Sequence, residues 1–591
     1  MGRLKSGAVM KKRGCLAKLV KAAVVVLAVL MALALGLFIY PFWGIPLNGQ
    51  RHGRVPITPP WALECWLWED DVNTAEFVNE LVDGYAEHDI PVRTILIDSP
   101  WSTHYNDFKV DETRYPNPKE FFGNLQDKGY RVVLWMTSMV DSRDNDTALK
   151  DDSAFYDEAR RKSYLATDGY QMRWWKGKGG FIDYTNPEAM QWWRGLQQQV
   201  FDWGLDGWKL DGSATLFVSR PWGLILPYQK THQGWIATRQ YMDHYYRDEY
   251  RHGLTQNPEF ITLSRAVDSP MPWSHPWGFS PTDASPVNWV GDNQHVWDDQ
   301  ARGLERALRT ILRSARLGYN VIGSDVAGYH GSMEISPHLY IRWAQFSTFC
   351  GLFLNGGHGE RRLWKRSPEE LEIVRYYSWL HTELVPYMYS HVVTCHNGGK
   401  PLQRPIKGKY QYMFGDDFLV APIYQDSLTH TVQLPRGRWR WLFDQATVIE
   451  GPATITRDFA RNEFPVYIRD GAIIPMNVSR AYTGFGDNES RGFLTLAIYP
   501  HGSNSFSVHH TDNSGVMDVR VDDYPELDVA VTGVVKPHIL RILLPVKPLS
   551  VSLDLRTLSE GTEWRYDEQR HVLTVKNSTF SPCQYVVKLP R

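Results

Sequence analysis

Past residue 60 the chain alternates short apolar runs with longer stretches whose apolar residues recur every three or four positions. The runs at 62–68, 94–98, 132–137, 207–211, 260–265, 288–292, 321–325 and 350–355 read as strands. Between them, 74–88, 118–128, 187–203, 233–250 and 298–317 read as amphipathic helices. Eight strands alternating with helices predict βα units around a parallel sheet, closed as a (β/α)8 barrel. The interval 138–206 is too long for one crossover and predicts a subdomain inserted after the third strand. From about residue 398 the period changes to short strands split by Gly, Pro and Asp turns, at 418–422, 431–434, 439–443, 466–469 and 472–475. A second set follows at 492–499, 505–510, 529–534, 538–544 and 572–576, and both sets predict antiparallel sandwiches.

The N-terminal pattern is of another kind. Arg3, Lys5, Lys11, Lys12, Arg13, Lys18 and Lys21 precede a run free of charge from Ala22 to Tyr40. At about 1.5 Å per residue this run covers the roughly 30 Å of a bilayer's hydrocarbon. The basic flank predicts a cytoplasmic N-terminus and an exported remainder, a single-pass type II arrangement. A cleaved signal peptide is the alternative, since Ala32-Leu33-Ala34 fits a small-x-small site. That triplet lies inside the apolar run, which favours an uncleaved signal-anchor. The expected organisation is a basic tail at 1–21, a membrane helix at 22–41, a linker at 42–60 and a barrel at 61–397. A proximal sandwich at 398–480 and a distal one at 481–591 complete it.

Composition narrows the chemistry. In these 591 residues Lys+Arg number 64 and Asp+Glu 66, a net charge of −2 that gives no global attraction for nucleic acid. The 24 Trp, 30 Tyr and 24 Phe suit both sugar stacking and a large core, and composition does not separate these uses. The five cysteines show no metal spacing and predict no disulfide framework. Sequons stand at Asn145, Asn477, Asn488 and Asn577.

Barrel chemistry sits where strands end. The polar residues there are Trp68-Glu69-Asp70-Asp71, Asp98, Trp135, Lys209 with Asp211, Arg265, Asp292 with Asn293, Asp325, and His358 beyond the eighth strand. Without a metal-ligand set, a Gly-rich phosphate loop or a Gly-x-Ser-x-Gly elbow, carboxylates among aromatics suit glycoside hydrolysis, with no metal or organic cofactor. Lys209 and Asp211 are two apart and point to one side of their strand, where the ammonium would keep the carboxylate ionised. A structural ion pair in a barrel layer is the alternative. Asp292, in Trp289-Val-Gly-Asp-Asn293, is flanked by Trp and Gly, and apolar shielding raises a carboxyl toward a general acid's range. An Asx turn closing the strand is the alternative there, and a solvated loop is the alternative for His358.

Together these residues resemble glycoside hydrolase family 31, the α-glucosidases, α-xylosidases and related α-glycosidases, over roughly residues 60 to 480. The resemblance implies Asp211 as nucleophile in a Lys-x-Asp motif and Asp292 as acid/base in Trp-x-Gly-Asp-Asn. It also implies Arg265, Asp325 and His358 as sugar contacts, with Asp98 and Trp135 in the same subsite; beside them Lys209 is expected to orient hydroxyls and stabilise charge, and Trp289 to wall the site against water. Three departures accompany it. The family's usual N-terminal β-sandwich has no counterpart in the short linker, Asp211 is followed by Gly-Ser-Ala instead of Glu, and Arg265 and Asp292 lie 27 residues apart. A retaining exo-α-glycosidase acting on a neutral hexoside, glucoside or galactoside, is the expected activity. A silent, membrane-tethered glycan-binding protein is the alternative.

Overall fold

A computed structural model describes residues 4–43, 53–212, 228–269, 277–332 and 334–590 of the chain. Residues 44–52 of the expected linker, Met1 to Arg3 of the expected tail, and Ser213 and Ala214 after Asp211 lie outside the described residues. Helix α1, Leu4–Trp43, contains the apolar stretch Leu16–Leu37, long and apolar enough to cross a membrane at a mean hydropathy of 2.6.

Among the described residues eight parallel strands form one sheet: β1 Cys65–Leu67, β2 Thr94–Ile97, β3 Arg131–Met136, β4 Gly207–Leu210, β5 Ile261–Arg265, β6 Val287–Trp289, β7 Ile322–Gly323 and β8 Phe353–Asn355. From β1 to β7 each strand pairs with its sequence neighbour, and β1 pairs with β8, so chain order and spatial order agree around the ring. The last seam closes through a parallel bridge between Asp325 and Leu354, where the Val326 N–H donates to the Leu354 carbonyl at 2.8 Å. β2, β4 and β5 are buried at every position, as expected when helices cover the outside and side-chain layers fill the inside.

The covering helices have local reasons to begin where they do. Thr74 caps Ala75–Glu87 by accepting the Phe77 N–H, and Ser367 with Glu370 forms a capping box on Pro368–Glu383. Asn186 accepts the N–H groups of Glu188 and Ala189 and starts Pro187–Asp202, with proline in the first turn. That cap revises the expected insertion. Pro187–Asp202 is the ordinary crossover from β3 to β4, so the inserted piece ends near residue 186, twenty short of the expected boundary. It consists of a small antiparallel sheet, Met139–Asp144, Gly177–Phe181 and Met172–Arg173, with helix Ser153–Arg161 packed on it. The helix expected at 233–250 also shifts. Gly234–Ala237 pairs with Tyr228–Thr231 in a hairpin, and the helix runs over Thr238–Gln256.

Beyond the barrel, one antiparallel sheet contains the long ribbon Thr429–Trp441 and Asp444–Asp458. The breaks expected between 434 and 439 are instead a register shift within a single strand. Two further sheets face each other around Val519, Val529, Leu540, Leu573 and Tyr585. Ile473–Met476, grouped in the sequence with the first set, pairs with Leu494–Ile498 in this second unit.

Candidate active site

Strand ends at one face of the barrel bring ionisable side chains together. From β5, Arg265 reaches three carboxylates: Nη2 lies 2.9 Å from Asp211 Oδ1 and 3.6 Å from Asp292 Oδ1, while Nη1 lies 3.2 Å from Asp268 Oδ2. A guanidinium presents its donors in one plane, so a single buried arginine can hold several acids in a fixed relation. Gly291 makes this possible. It stands at φ +80°, and a Cβ there would run into the Arg265 guanidinium and Asp268.

Asp211 follows β4. Its Oδ1 also accepts the Gly212 N–H at 2.7 Å, and its Oδ2 accepts the Trp135 indole N–H at 3.3 Å. Burial alone would push this carboxyl up. Arg265 first, then Lys209, the Gly212 N–H and the Trp135 indole, bring it below the ordinary carboxylate value. Arg265 is thus the principal cation that keeps Asp211 ionised, and Lys209 adds to it as the sequence implied. Lys209 Nζ sits 2.6 Å from Asp98 Oδ2, above the Trp68 ring at 4.1 Å and the Trp289 ring at 5.3 Å. Burial opposes its charge, but Asp98, Asp325 and Asp211 together hold its pKa above the ordinary value. The sequence placed Lys209 and Asp211 on one side of the strand, but Asp98, two strands away in the ring, lies nearer the ammonium.

Asp292 differs from the expectation in its surroundings. Its side chain is 41% exposed beside Arg265, so the apolar shielding expected from Trp289 and Gly291 is not present. Trp289 is buried instead beneath the two cations, with the Arg265 guanidinium 4.7 Å from its ring. Asp325, at the barrel's closing seam, is buried, and its Oδ1 has no hydrogen-bond partner among the described residues. Burial pushes its carboxyl up to about 7 against the pull of Lys209.

His358 belongs to a latch that joins three strand ends. Its Nδ1 lies 2.6 Å from Asp71 and its Nε2 lies 3.4 Å from Asp70, both in the loop after β1. The Tyr329 hydroxyl, from the loop after β7, donates to Asp70 at 2.7 Å, and its ring stacks on Trp68 at 5.7 Å. The nine residues expected to be catalytic or substrate-binding therefore stand at one end of the barrel. Trp68, Asp70, Asp71, Tyr329 and Asp268 join them. The first three carried a signal as the polar end of β1, and Tyr329 closes the Ser-Asp-Val-Ala-Gly-Tyr stretch. Asp268 carried none, because only the fold of the loop after β5 turns it back to Arg265.

These comparisons agree with the architecture. The model of the glycosyl hydrolases family 31 TIM-barrel domain matches residues 55–391, and that of the family's C-terminal domain matches residues 395–474. An alpha-xylosidase of Emericella nidulans is 26% identical over 454 residues, 72% of this chain and 54% of its own length. An isomaltosyltransferase of Sporosarcina globispora is 23% identical over 606 residues, 90% of this chain and 53% of its own length. The chain thus spans about half the length of these curated relatives. A dextranase of Flavobacterium johnsoniae complexed with glucose shares the fold at a TM-score of 0.79 and 21% identity, over 91% of this chain and 71% of that one.

Proposed function

This chain belongs to the glycosyl hydrolases of family 31, and on that premise we propose that it is a retaining exo-α-glycosidase with Asp211 as nucleophile and Asp292 as acid/base. The observation that carries the reading is Arg265 Nη2, which touches a carboxylate oxygen of each, at 2.9 and 3.6 Å. One cation shared by two acids keeps them beside each other at one end of the barrel, which supports a double displacement. Asp211 Oδ1 is occupied by Arg265 and Gly212, so the more loosely held Oδ2 is the oxygen that attacks the anomeric carbon. Protonated Asp292 gives its proton to the departing oxygen as the C–O bond breaks. Asp292 then takes a proton from the water that cleaves the glycosyl ester, which frees the sugar and restores Asp211.

Asp98, Asp325 and His358 suit hydroxyl groups, and the open acceptor on Asp325 is an apt partner for one. A sulfonated sugar would call for a free cation. Lys209 is taken by Asp98, and Arg265 by Asp211 and Asp268, so the proposed substrate is a neutral α-hexoside, glucoside or galactoside. The relatives include enzymes named for xylosides and for glucosides, which supports the α-glycoside class. With its basic flank inside, α1 would hold the barrel on the far side of a membrane.

A panel of p-nitrophenyl α-glycosides tests the activity, and Asp211→Asn should lose on the order of 10⁴-fold or more in kcat on every active substrate. Asp292→Ala should spare glycosyl fluorides in the first step and respond to added azide in the second. Retention of activity in Asp211→Asn, or equal loss on all leaving groups without an azide effect, would overturn the assignment. Saturable sugar binding by a chain that turns over no member of the panel would mark a binding protein instead.

A further inference from the structure

In the distal sandwich we infer a second binding site, a cleft of about 520 Å³ with Arg541 at its floor, for a sugar that carries one carboxylate; it does not depend on the glycosidase reading. Strand His538–Leu543 lies in one sheet with Leu494–Ile498, Val572–Asn577 and Trp564–Asp567. Leu540 and Ile542 enter the sandwich core, so Ile539 and Arg541 point to the opposite face. Cross-strand register sets Ala497, Arg541, Thr574 and Arg565 in one row on that face. A sandwich strand ordinarily leaves its outer face in water. Here all six residues of His538–Leu543 are buried, and Arg541 is 8% exposed. The Phe485 ring lies 4.9 Å from its guanidinium.

A buried cation ordinarily meets a carboxylate, as Lys209 and Arg265 do. Among the described residues Arg541 has none in ion-pair range, and the acids around the cleft are engaged elsewhere. Asp567 lies 3.9 Å from Arg570, Asp487 lies 3.5 Å from Arg565, and Glu563 lies 2.7 Å from Arg556. Burial pulls the Arg541 pKa below its ordinary value; Tyr499 and Asp567 offset this only in part, and Arg570 opposes them. A carboxylate from a ligand would supply the counter-charge, in the fork geometry that a guanidinium matches. Lys576 stands opposite Ile539, diagonal to Arg541 on the same face, and its Nζ donates to the Glu489 carbonyl at 2.9 Å. Diagonal neighbours lie about 7–8 Å apart, within the span of one sugar ring and its substituents. Size and charge then fix the class. The volume is that of clefts that hold small organic molecules, and a bare inorganic anion needs far less. Four carboxylates and four cations line the cleft, a balance that does not draw in a polyanion. One carboxylate on Arg541, with hydroxyls between Thr574, Lys576 and Glu489, fits both.

Calorimetry on the full chain tests this, with glucuronate as the probe and its methyl ester and glucose as neutral controls. Glucuronate should bind, and each control should bind at least about tenfold more weakly, because the charge-assisted pair is lost. Arg541→Met should weaken glucuronate by the same factor and leave turnover of p-nitrophenyl α-glycosides unchanged, which separates this cleft from the barrel mouth. Without ligand that variant should melt about 2–4 °C higher, because it removes a buried cation that has no carboxylate. A lower melting midpoint would make Arg541 part of the scaffold and overturn the site. Lys576→Gln, a change at an exposed position, should weaken glucuronate about threefold with the melting midpoint unchanged. Absence of glucuronate binding, equal binding of its methyl ester, or full affinity in either variant overturns the proposal.

Discussion

In the distal sandwich, strand Val516–Asp522 turns Met517, Val519 and Val521 inward and leaves Asp518 and Arg520 in water. Strand β4 of the barrel hides every residue from Gly207 to Leu210, and with them the charge of Lys209. The first arrangement is that of a sheet with one dry face, where burial follows the period of two and polar groups keep their solvent. The second removes ions from water, which costs several kcal/mol per unpaired charge, and it is viable only because each ion meets a partner. Lys209 has Asp98, and Arg265 has Asp211 and Asp268. Charge at the barrel mouth thus depends on neighbours from other strands, whereas each sandwich residue is buried on its own account. Substitutions at the mouth should propagate to function, and those in the sandwich should stay local in stability.

Arg265→Met should show the largest effect. It removes the principal cation from Asp211 and should lower kcat/KM on the order of 10³-fold. Because Arg265 holds the Asp211 carboxyl down, its removal raises that carboxyl, and the acid limb of the pH profile of kcat/KM should move to higher pH. An acid limb that stays in place would mean that Arg265 does not set the ionisation of Asp211.

Lys209→Met should come next, through stability. Removing one partner of a buried pair costs about 3–5 kcal/mol, and Asp98→Asn in the same chain should return part of it. Denaturant unfolding of the two single variants and the double measures this coupling, and purely additive losses would break the contrast between the two regions.

Leu540→Ala, in the sandwich core, should cost about 2–5 kcal/mol through the cavity it leaves, with turnover unchanged at temperatures where the sandwich stays folded. Loss of activity in parallel with stability would show that the sandwich supports the pocket.

The last effect, on the pH dependence of stability, concerns Asp325. Its folded carboxyl is raised from the ordinary 3.8 to about 7, so across that interval the native state keeps a proton that the unfolded chain has released. Stability conferred below the ordinary value is therefore lost as pH rises to about 7, with a slope of up to one proton. Asp325→Asn should remove this slope. Glu69 and Asp70, also raised by burial, to about 7 and about 6, contribute equally to both proteins, so the difference curve isolates Asp325. A flat difference between pH 4 and 8, on that scale, would place Asp325 in water.

The ring of strands and the second antiparallel unit were legible because both are written in local periods. Continuous apolar runs separated by helical stretches allow little but a covered parallel sheet, and alternation in Val516–Asp522 states which face is dry. The strand-end rule then located Asp98, Asp211, Arg265, Asp292 and Asp325 from their positions alone. Which acid meets which base was not legible. Lys209 looked paired with Asp211, two residues on, but the ring brings Asp98 closer, and Arg265 comes from the next strand to take Asp211. Asp268 became part of the centre through a loop turn. Periodicity is set by each residue's own solvation and therefore reads along the chain, whereas an ion pair or an aromatic contact depends on distances between strands, which only the closed barrel fixes.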